Sequence, residues 1–248
     1  VDQIITKSGV AIGVRLANGQ IHNSDVVIAN ADAELVYNQL LEKSSKTRSA
    51  RKSLNKATAS LSGFSLLLGL RGSSELDHHT VFFPNDYDAE FDSIFDKKMP
   101  VEDPAIYICN PNDSKMKRAE VDESWSVLIN APRHQPKDGF DWDEKSSKEY
   151  SEHIIDLMEA KGLDVRSRLE VLEYRSPADL ERNVNAPGGS IYGTSSNGAR
   201  SAFWRARNRS KIKNLFLVGG STHPGGGLPL VGISAEIVAE AVEENSEQ

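Results

Sequence analysis

The stretch from Asn214 to Val242 reads NLFLVGGSTHPGGGLPLVGISAEIVAEAV, and it decides the fold class of this chain. Leu215 to Val218 is a short apolar run of the kind that forms a strand buried on both faces. Five glycines follow within nine residues: Gly219, Gly220, Gly225, Gly226 and Gly227. A helix is predicted to begin near residues 229–232, because apolar and charged side chains then recur with a period of about 3.6 residues.

The predicted helix has one apolar face and one acidic face. The apolar face carries Val231, Ala235, Val238, Ala241 and Val242, and the acidic face carries Glu236, Glu240, Glu243 and Glu244. A strand, a glycine turn and a helix N-terminus in this order suit an anionic group, because the first N–H groups of a helix lack partners and the helix dipole is positive there. Small residues in the first turns, Gly232, Ser234 and Ala235, leave room for a flat ring.

Two known phosphate-binding motifs do not fit this turn. No Lys-Ser/Thr pair closes the glycine run, which argues against a Walker A loop. No Gly-x-Gly-x-x-Gly follows a strand anywhere in the chain, so an intact dinucleotide fingerprint is absent. From the residues alone, two interpretations stay open: a turn that contacts a cofactor, and a tight structural turn that packs a helix against a sheet.

The remaining sequence alternates between strand-like and helical segments. Strands are predicted at 3–6, 10–16, 20–22, 26–29, 59–70, 80–83, 105–109, 124–131 and 169–174, and helices at 32–44, 144–161 and after Ser176-Pro177. Asn18-Gly19 predicts a hairpin turn. The basic stretch 44–56 is interpreted as a solvated helix or loop, and the acidic run 138–144 as a helix cap and solvated surface. This order indicates an α+β domain inserted into another architecture.

Composition narrows the class of protein. The chain has 248 residues, a net charge of -7 and 38% hydrophobic residues, as expected for a soluble globular protein rather than a general nucleic-acid binder. The longest apolar stretch, Phe64 to Leu70, is far shorter than the roughly 20 residues of a membrane-spanning helix. The chain opens on Val1 without a signal peptide, and we expect it to be a fragment with a cytoplasmic location.

Residues 215–235, which read LFLVGGSTHPGGGLPLVGISA, resemble the C-terminal flavin-binding motif of the phytoene desaturase family of amine-oxidase-like flavoproteins. The run Thr222-His223-Pro224-Gly225, followed by Gly227 and Pro229, carries most of the likeness. Residues 26–32 (VVIANAD) and 176–193 (SPADLERNVNAPGGSIYG) resemble two further parts of the family. Family members begin with a Gly-x-Gly-x-x-Gly turn that this chain lacks, so the resemblance covers a C-terminal portion that we expect to be inactive alone.

The resemblance implies an FAD-dependent oxidoreductase of the phytoene dehydrogenase or desaturase type. Its substrate would be a long apolar isoprenoid or carotenoid polyene, with hydride transfer to flavin. The implied fold is α+β with α/β character: part of a Rossmann-like FAD-binding domain, without its N-terminal dinucleotide-binding unit, joined to a mixed-sheet substrate domain. Residues 1–31 and 210–248 would belong to the FAD-binding domain and residues 32–209 to the substrate domain. An apolar substrate also implies peripheral contact with the inner face of the membrane.

The same resemblance assigns the cofactor-binding residues. They are Gly219, Gly220, Thr222, His223, Gly225, Gly226, Gly227, Pro229, Leu230 and Val231. Gly219 and Gly220 would lie by the pyrophosphate and ribityl part of FAD, and residues 229–231 by the pyrimidine edge of the flavin. Helix-end N–H groups favour the negative charge that reduced flavin carries at that edge. No catalytic side chain is assigned, because the reacting C–H bond is scarcely acidic and no nucleophile is needed.

Two alternative functions remain. A related amine or porphyrinogen oxidase should carry an acidic residue after the C-terminal strand, where this chain has Gly220. A non-catalytic module could hold an apolar ligand or a partner without flavin. Flavin colour in a longer protein, lost when residues 225–227 are made bulkier, would separate the enzyme from the module.

Several other residues invite a functional interpretation. His223 could contact flavin or substrate, or it could order the loop through backbone bonds. A metal at His78-His79 is not predicted, because neighbouring residues on a strand point to opposite faces. Cys109, the single cysteine, is expected to be an inert thiol in the core. Residues 203–207 (FWRAR) mix aromatic and basic side chains, and a surface strand or loop is favoured over a lipid or nucleic-acid site.

Overall fold

The computed structural model describes residues 1–111, 113, 115, 121–195 and 205–246. The chain forms two compact units, one made of Val1–Ser60 with Val184–Gln248 and the other of Leu61–Asn183. These bounds differ from the division into 1–31 with 210–248 and 32–209 that the sequence suggested. The assignment of those parts to flavin and substrate stays a prediction.

In the described part of the chain, the discontinuous unit contains five strands and three α-helices. They are β1 Gln3–Lys7, β2 Val10–Arg15, β3 Ile21–Asn23, β4 Val27–Ala29, α1 Ala33–Leu35 extended by a wide turn over Val36–Leu40, and α2 Ser45–Leu54. Near the C-terminus, β10 Leu215–Leu217 precedes α6 Leu228–Ser246, and the elements numbered between α2 and β10 are described below with the other unit. β1, β2 and β3 form an antiparallel sheet, and Gly19 takes a φ of 86° in the predicted hairpin turn.

β10 lies parallel to β4, with Leu215 opposite Val27 and Leu217 opposite Ala29. Leu215 and Leu217 are buried in one apolar cluster with Val27, while Phe216 on the other face packs with Val238 and Ala241 of α6. The strand is therefore covered on both faces, which confirms the interpretation of its continuous apolar run.

The buried face of α6 differs from the predicted one. Val238 and Ala241 are buried as expected, but Ala235 is exposed and Ser234 is completely buried in its place. A hydroxyl can occupy the interior when it is fully hydrogen-bonded, and Ser234 contacts Asn208 and Thr222 there. Hydrophobic periodicity alone could not place a serine at the centre of the buried stripe.

The continuous unit is a five-stranded antiparallel sheet covered by a long helix. Its elements are β5 Ser62–Leu70, β6 His79–Phe82, α3 Tyr87–Phe91 continued by a wide turn over Asp92–Lys97, β7 Ile106–Cys109, β8 Glu123–Ala131, α4 Glu144–Ala160, a 3-10 turn at Arg166–Arg168, β9 Leu169–Arg175 and α5 Pro177–Val184. α5 ends this unit, and its last residue belongs to the other. The strand order is β6-β7-β8-β5-β9. The α+β class is confirmed.

One face of this sheet forms the core with α4. Phe64 of β5 is fully buried, and its ring centroid lies 5.3 Å from that of Trp142 and 5.1 Å from that of Tyr150. α4 begins where Asp143 Oδ1 accepts a hydrogen bond of 2.7 Å from the N–H of Ser146, as the acidic run predicted. Ile154, Ile155 and Met158 then turn inward at helical spacing.

A buried carboxylate anchors one end of the sheet. Glu123 Oε1 accepts hydrogen bonds from Ser74 N at 2.9 Å and Asn110 Nδ2 at 3.2 Å. Its Oε2 accepts from Trp125 Nε1 at 3.1 Å and from Arg168 Nη2 at 2.7 Å. A buried charge needs this many partners, because an unpaired carboxylate in the interior is strongly disfavoured.

The stability of the chain should therefore depend on pH through Glu123. Burial alone would raise the pKa of Glu123, but hydrogen bonds from Ser74, Arg168 and Asn110 together hold it below its ordinary value. A carboxyl with a depressed pKa stabilises the fold above its unfolded pKa of about 4.3, and this contribution is lost as pH falls further. In urea unfolding, the difference in the free energy of unfolding between wild type and Glu123→Gln should become smaller below about pH 4.3. The exposed Glu149→Gln is the matched control variant, and a stability difference for Glu123→Gln that stays constant with pH would contradict the prediction.

Candidate functional site

The turn between β10 and α6 depends on its glycines. Gly219, Gly225 and Gly227 have φ values of 118°, 149° and 97°, which side chains rarely permit. A Cβ on Gly219 would also lie 2.8 Å from Asn30 Oδ1. The backbone therefore follows a path that only glycine can take at these positions.

A buried polar network supports the turn from inside. Asn208 Nδ2 donates to Leu217 O at 3.1 Å, to His223 O at 3.0 Å and to Ser234 Oγ at 2.9 Å. Thr222 Oγ1 donates to Gly219 O at 2.8 Å, and Thr222 is completely buried. The network ties the end of β10, the glycine turn and the first turns of α6 into one rigid unit. The Thr222 hydroxyl, predicted to contact a cofactor, holds the turn itself.

The entrance of α6 is open. Leu228, Pro229 and Leu230 are exposed, and the first helical hydrogen bond runs from Val231 N to Gly227 O at 2.9 Å. Pro229 has no N–H, and within the described part of the chain the N–H groups of Leu228 and Leu230 have no protein acceptor. Two unpaired donors at the positive end of a helix can bind the electron-rich edge of a ligand.

Gly232, one turn into α6, extends this open entrance. A Cβ added there or at Gly227 would meet nothing within 4 Å. The backbone is thus accessible to a flat group at both positions. The expectation that small residues leave room in the first turns agrees with Gly232 and Ala235, which are exposed, but not with Ser234, which is completely buried. A contact with a flat ring stays a prediction.

His223 uses its backbone to order the loop. Its N–H donates to Ala206 O at 2.9 Å, and its carbonyl accepts from Asn208. Its peptide bond to Pro224 is cis, and its ring is exposed. The loop-ordering interpretation of His223 agrees with these bonds, and a contact with a ligand stays a prediction.

Arg205 and Tyr192 cover the other side of the glycine turn. Arg205 is only 8% exposed, and its Nη1 donates to Tyr192 O at 2.7 Å and to Gly220 O at 3.0 Å. Burial lowers the pKa of the Arg205 guanidinium. A Cβ on Gly226 would come within 1.8 Å of the Tyr192 ring. Arg205 thus clamps the glycine turn, a role that residues 203–207 do not reveal in sequence. Phe203 and Trp204 lie outside the described residues.

A basic cavity of about 390 Å³ lies in the same unit. Its walls include five cationic side chains: Lys46, Arg205, Arg207, Arg209 and Lys211. Lys46 Nζ donates to Gly9 O at 3.1 Å, and Arg209 pairs with Glu244. The stretch 44–56 is mainly the helix α2, as predicted, but it also forms a wall of this cavity. The concentration of positive charge favours an anionic ligand.

The outer face of the five-stranded sheet is partly apolar, and the described residues of its unit leave several of its apolar side chains exposed. Val81, Tyr107 and Leu128 lie opposite one another on neighbouring strands. Val81, Leu128 and the nearby Leu67 are 43–45% exposed. A cavity of about 360 Å³ on this unit is lined mostly by apolar atoms, including those of Leu67 and Val171. A contiguous apolar surface of this kind is typical of a binding face.

Two predictions about side-chain placement on this sheet were wrong. Cys109 is half-buried on the open face rather than in the core. The rings of His78 and His79 do not point apart: their centroids are 4.3 Å from each other. β6 begins only at His79, so the alternation of a strand does not apply to His78.

Comparison with known proteins assigns the family. The chain is 36% identical over 245 residues to a zeta-carotene-forming phytoene desaturase of Myxococcus xanthus, and 33% identical over 243 residues to a hydroxyneurosporene desaturase of Rubrivivax gelatinosus. Each match covers 97% of this chain and 46% of the relative. The chain belongs to the phytoene desaturase family. No family model matches it.

The chain spans about half the length of the curated relatives that it matches. An oxidoreductase of Methanosarcina mazei has a similar fold, with a TM-score of 0.61 at 14% identity over 96% of this chain and 48% of the other. The described helices include none that is both long and apolar enough to cross a membrane. The desaturase resemblance inferred from residues 215–235 is thereby confirmed for the family, while the role of each site residue stays a prediction.

Proposed function

We propose that this chain is the C-terminal portion of an FAD-dependent oxidoreductase of the phytoene desaturase type. The observation that carries the proposal is the open helix entrance at Leu228 and Leu230, placed by a buried network directly after the glycine turn. The sequence match to carotenoid desaturases along nearly all of the chain supports it.

The residues at the turn fit a flavin. Gly227 and Gly232 leave the backbone open, and the N–H groups of Leu228 and Leu230 can donate to the pyrimidine edge of the ring. When bound, FAD supplies the redox chemistry by accepting hydrogen from the substrate. The chain itself orients the ring and favours negative charge at its edge through the positive end of α6. Gly219 and Gly220, at the end of β10, would lie near the ribityl and pyrophosphate part.

The substrate would be a long apolar polyene. The partly apolar outer face of the five-stranded sheet, with Leu67, Val81 and Leu128 exposed, offers a surface on which such a chain can bury its hydrocarbon. Desaturation removes a hydride and a proton from adjacent carbons. The cofactor would accept the hydride and water would accept the proton from the resulting cation, so no side chain is assigned as acid, base or nucleophile. Because such a substrate dissolves in the bilayer, we expect the protein to contact the membrane surface. We also propose that the protein is located in the cytoplasm.

A substitution that places a bulky side chain at position 232 tests the proposed flavin site. Gly232→Leu should lower FAD affinity at least tenfold, because the side chain occupies the space proposed for the ring. It should not lower the free energy of unfolding: a Cβ there meets nothing within 4 Å, and leucine favours a helix over glycine by about 0.5–1 kcal/mol. Flavin absorbance, fluorescence titration and conversion of a phytoene substrate are measured on the longest natural polypeptide that contains this sequence.

Ala239→Leu is the matched control, because Ala239 is exposed on the same helix farther from its entrance. This variant should keep both flavin and activity. Unchanged flavin content in Gly232→Leu would contradict the proposed site. A stable wild-type protein that binds polyenes but no flavin would favour the non-catalytic module instead.

A further inference from the structure

Three metal-binding side chains meet at the edge of the five-stranded sheet. His79, the first residue of β6, lies directly opposite Cys109, the last residue of β7, so their side chains share one face. His78 precedes the strand and folds toward His79. One ligand atom from each of the three residues lies within 4.8 Å of the other two.

Tyr107 restricts the orientation of one ligand. Its Oη lies 2.7 Å from His79 Nδ1, and the two rings are stacked with centroids 5.9 Å apart. Metal-binding histidines are usually held in this way by a second hydrogen bond, which lowers the cost of bringing the ring to the metal. Tyr107 and Cys109 are two positions apart on β7, so their side chains lie on the same face of the sheet.

We propose that His78, His79 and Cys109 form a binding site for a zinc ion on this unit. Two imidazoles and a thiolate are the ligand types that zinc prefers, and a set without carboxylates disfavours magnesium and calcium. Ligand atoms around tetrahedral zinc lie about 3.3–3.6 Å apart, so the side chains need to close only slightly. Both histidines are exposed and the cysteine is half-buried, which leaves them free to do so.

The site would fasten the edge of the sheet. Among the described strands, β6 lies at one end of the order and pairs with β7 alone. A metal held by two residues at the start of β6 and one at the end of β7 would cross-link the two strands. The fourth coordination position would face solvent, beside the cavity that Cys109 helps to line. This inference does not depend on the proposed flavin site, which lies in the other unit.

Cobalt titration of the whole chain tests the proposal. Chelator-treated protein without an affinity tag should give a thiolate-to-cobalt charge-transfer band and the visible bands of tetrahedral Co²⁺, saturating at one equivalent. One equivalent of Zn²⁺ should remove them. Cys109→Ser should abolish the charge-transfer band, and His79→Ala should weaken binding at least tenfold. Tyr107→Phe should weaken it by about tenfold, the usual effect of losing a supporting hydrogen bond.

His22→Ala is the matched control, since His22 is an exposed strand residue of the other unit. It should leave the titration unchanged, and circular dichroism should show that each variant is folded. Wild-type protein without a charge-transfer band would overturn the proposal. So would a band that persists in Cys109→Ser, or equal affinity in wild type and His79→Ala.

Discussion

Replacing Asn208 with alanine should lower the free energy of unfolding by about 3 kcal/mol, because a buried polar group left without its partner costs about 1–3 kcal/mol. The change removes the donor shared by Leu217 O, His223 O and Ser234 Oγ. Asn208 is only 5% exposed, so water cannot readily replace the amide. The largest local effect should fall on the glycine turn, since two of these acceptors flank it.

Urea unfolding followed by circular dichroism measures the effect of Asn208→Ala. Asn23→Ala is the control, because Asn23 is exposed on β3 in the same unit, and it should stay within about 0.5 kcal/mol of wild type. In a longer polypeptide that binds flavin, Asn208→Ala should also weaken FAD binding, even though Asn208 lies beneath the turn. Equal stability of the two variants would show that the buried network contributes little.

Replacing Arg168 with alanine should cost about 3–5 kcal/mol, the usual effect of removing one partner from a buried ion pair. The Arg168 side chain is 14% exposed and that of Glu123 only 4%, with 2.7 Å between Nη2 and Oε2. The variant leaves the carboxylate with neutral donors only. It also removes the donors to Arg71 O at 2.6 Å and Gly72 O at 3.0 Å.

Arg175→Ala provides the comparison for Arg168→Ala. Its guanidinium pairs with Glu173 at 3.2 Å, but both side chains are more than 40% exposed. Exposed pairs contribute about 0–1 kcal/mol, because solvent screens the charges. Both variants are compared by urea unfolding at neutral pH. A loss no greater for Arg168→Ala than for Arg175→Ala would refute the importance of the buried pair.

Local patterns were sufficient to predict most of the elements. α4 was predicted at 144–161 and is found at Glu144–Ala160, because its apolar spacing, the Asp143 cap and Gly162 at its end all agree. β5 and β8 were found close to their predicted limits. β5 is a long apolar run and β8 alternates between buried and more exposed side chains, and both patterns are typical of strands. The family likeness of residues 215–235 was also readable, because glycine positions are fixed by backbone geometry rather than by distant partners.

The support of the site could not be predicted from local patterns. Asn208 and Ser234 are 26 positions apart, and nothing near either residue reveals that they meet. Ser234 was expected to leave room for a flat ring in the first turns of the helix, but it is completely buried. The grouping of His78 with Cys109 depends on where β6 begins and on how it pairs with β7. These are properties of tertiary structure, and a single sequence carries no direct signal for them.

The parallel pairing of β4 with β10 has a consequence for biosynthesis. A ribosome synthesises the whole of Leu61–Asn183 before it reaches Leu215. That continuous unit can therefore form its sheet and helix before the partner strand of β4, β10, has been made. The N–H of Ala33 likewise donates a hydrogen bond to the hydroxyl of Ser221, which lies 188 positions later in the sequence. Early termination of translation before Leu215 would therefore yield one finished domain attached to an N-terminal segment that lacks a partner strand and is exposed to proteases.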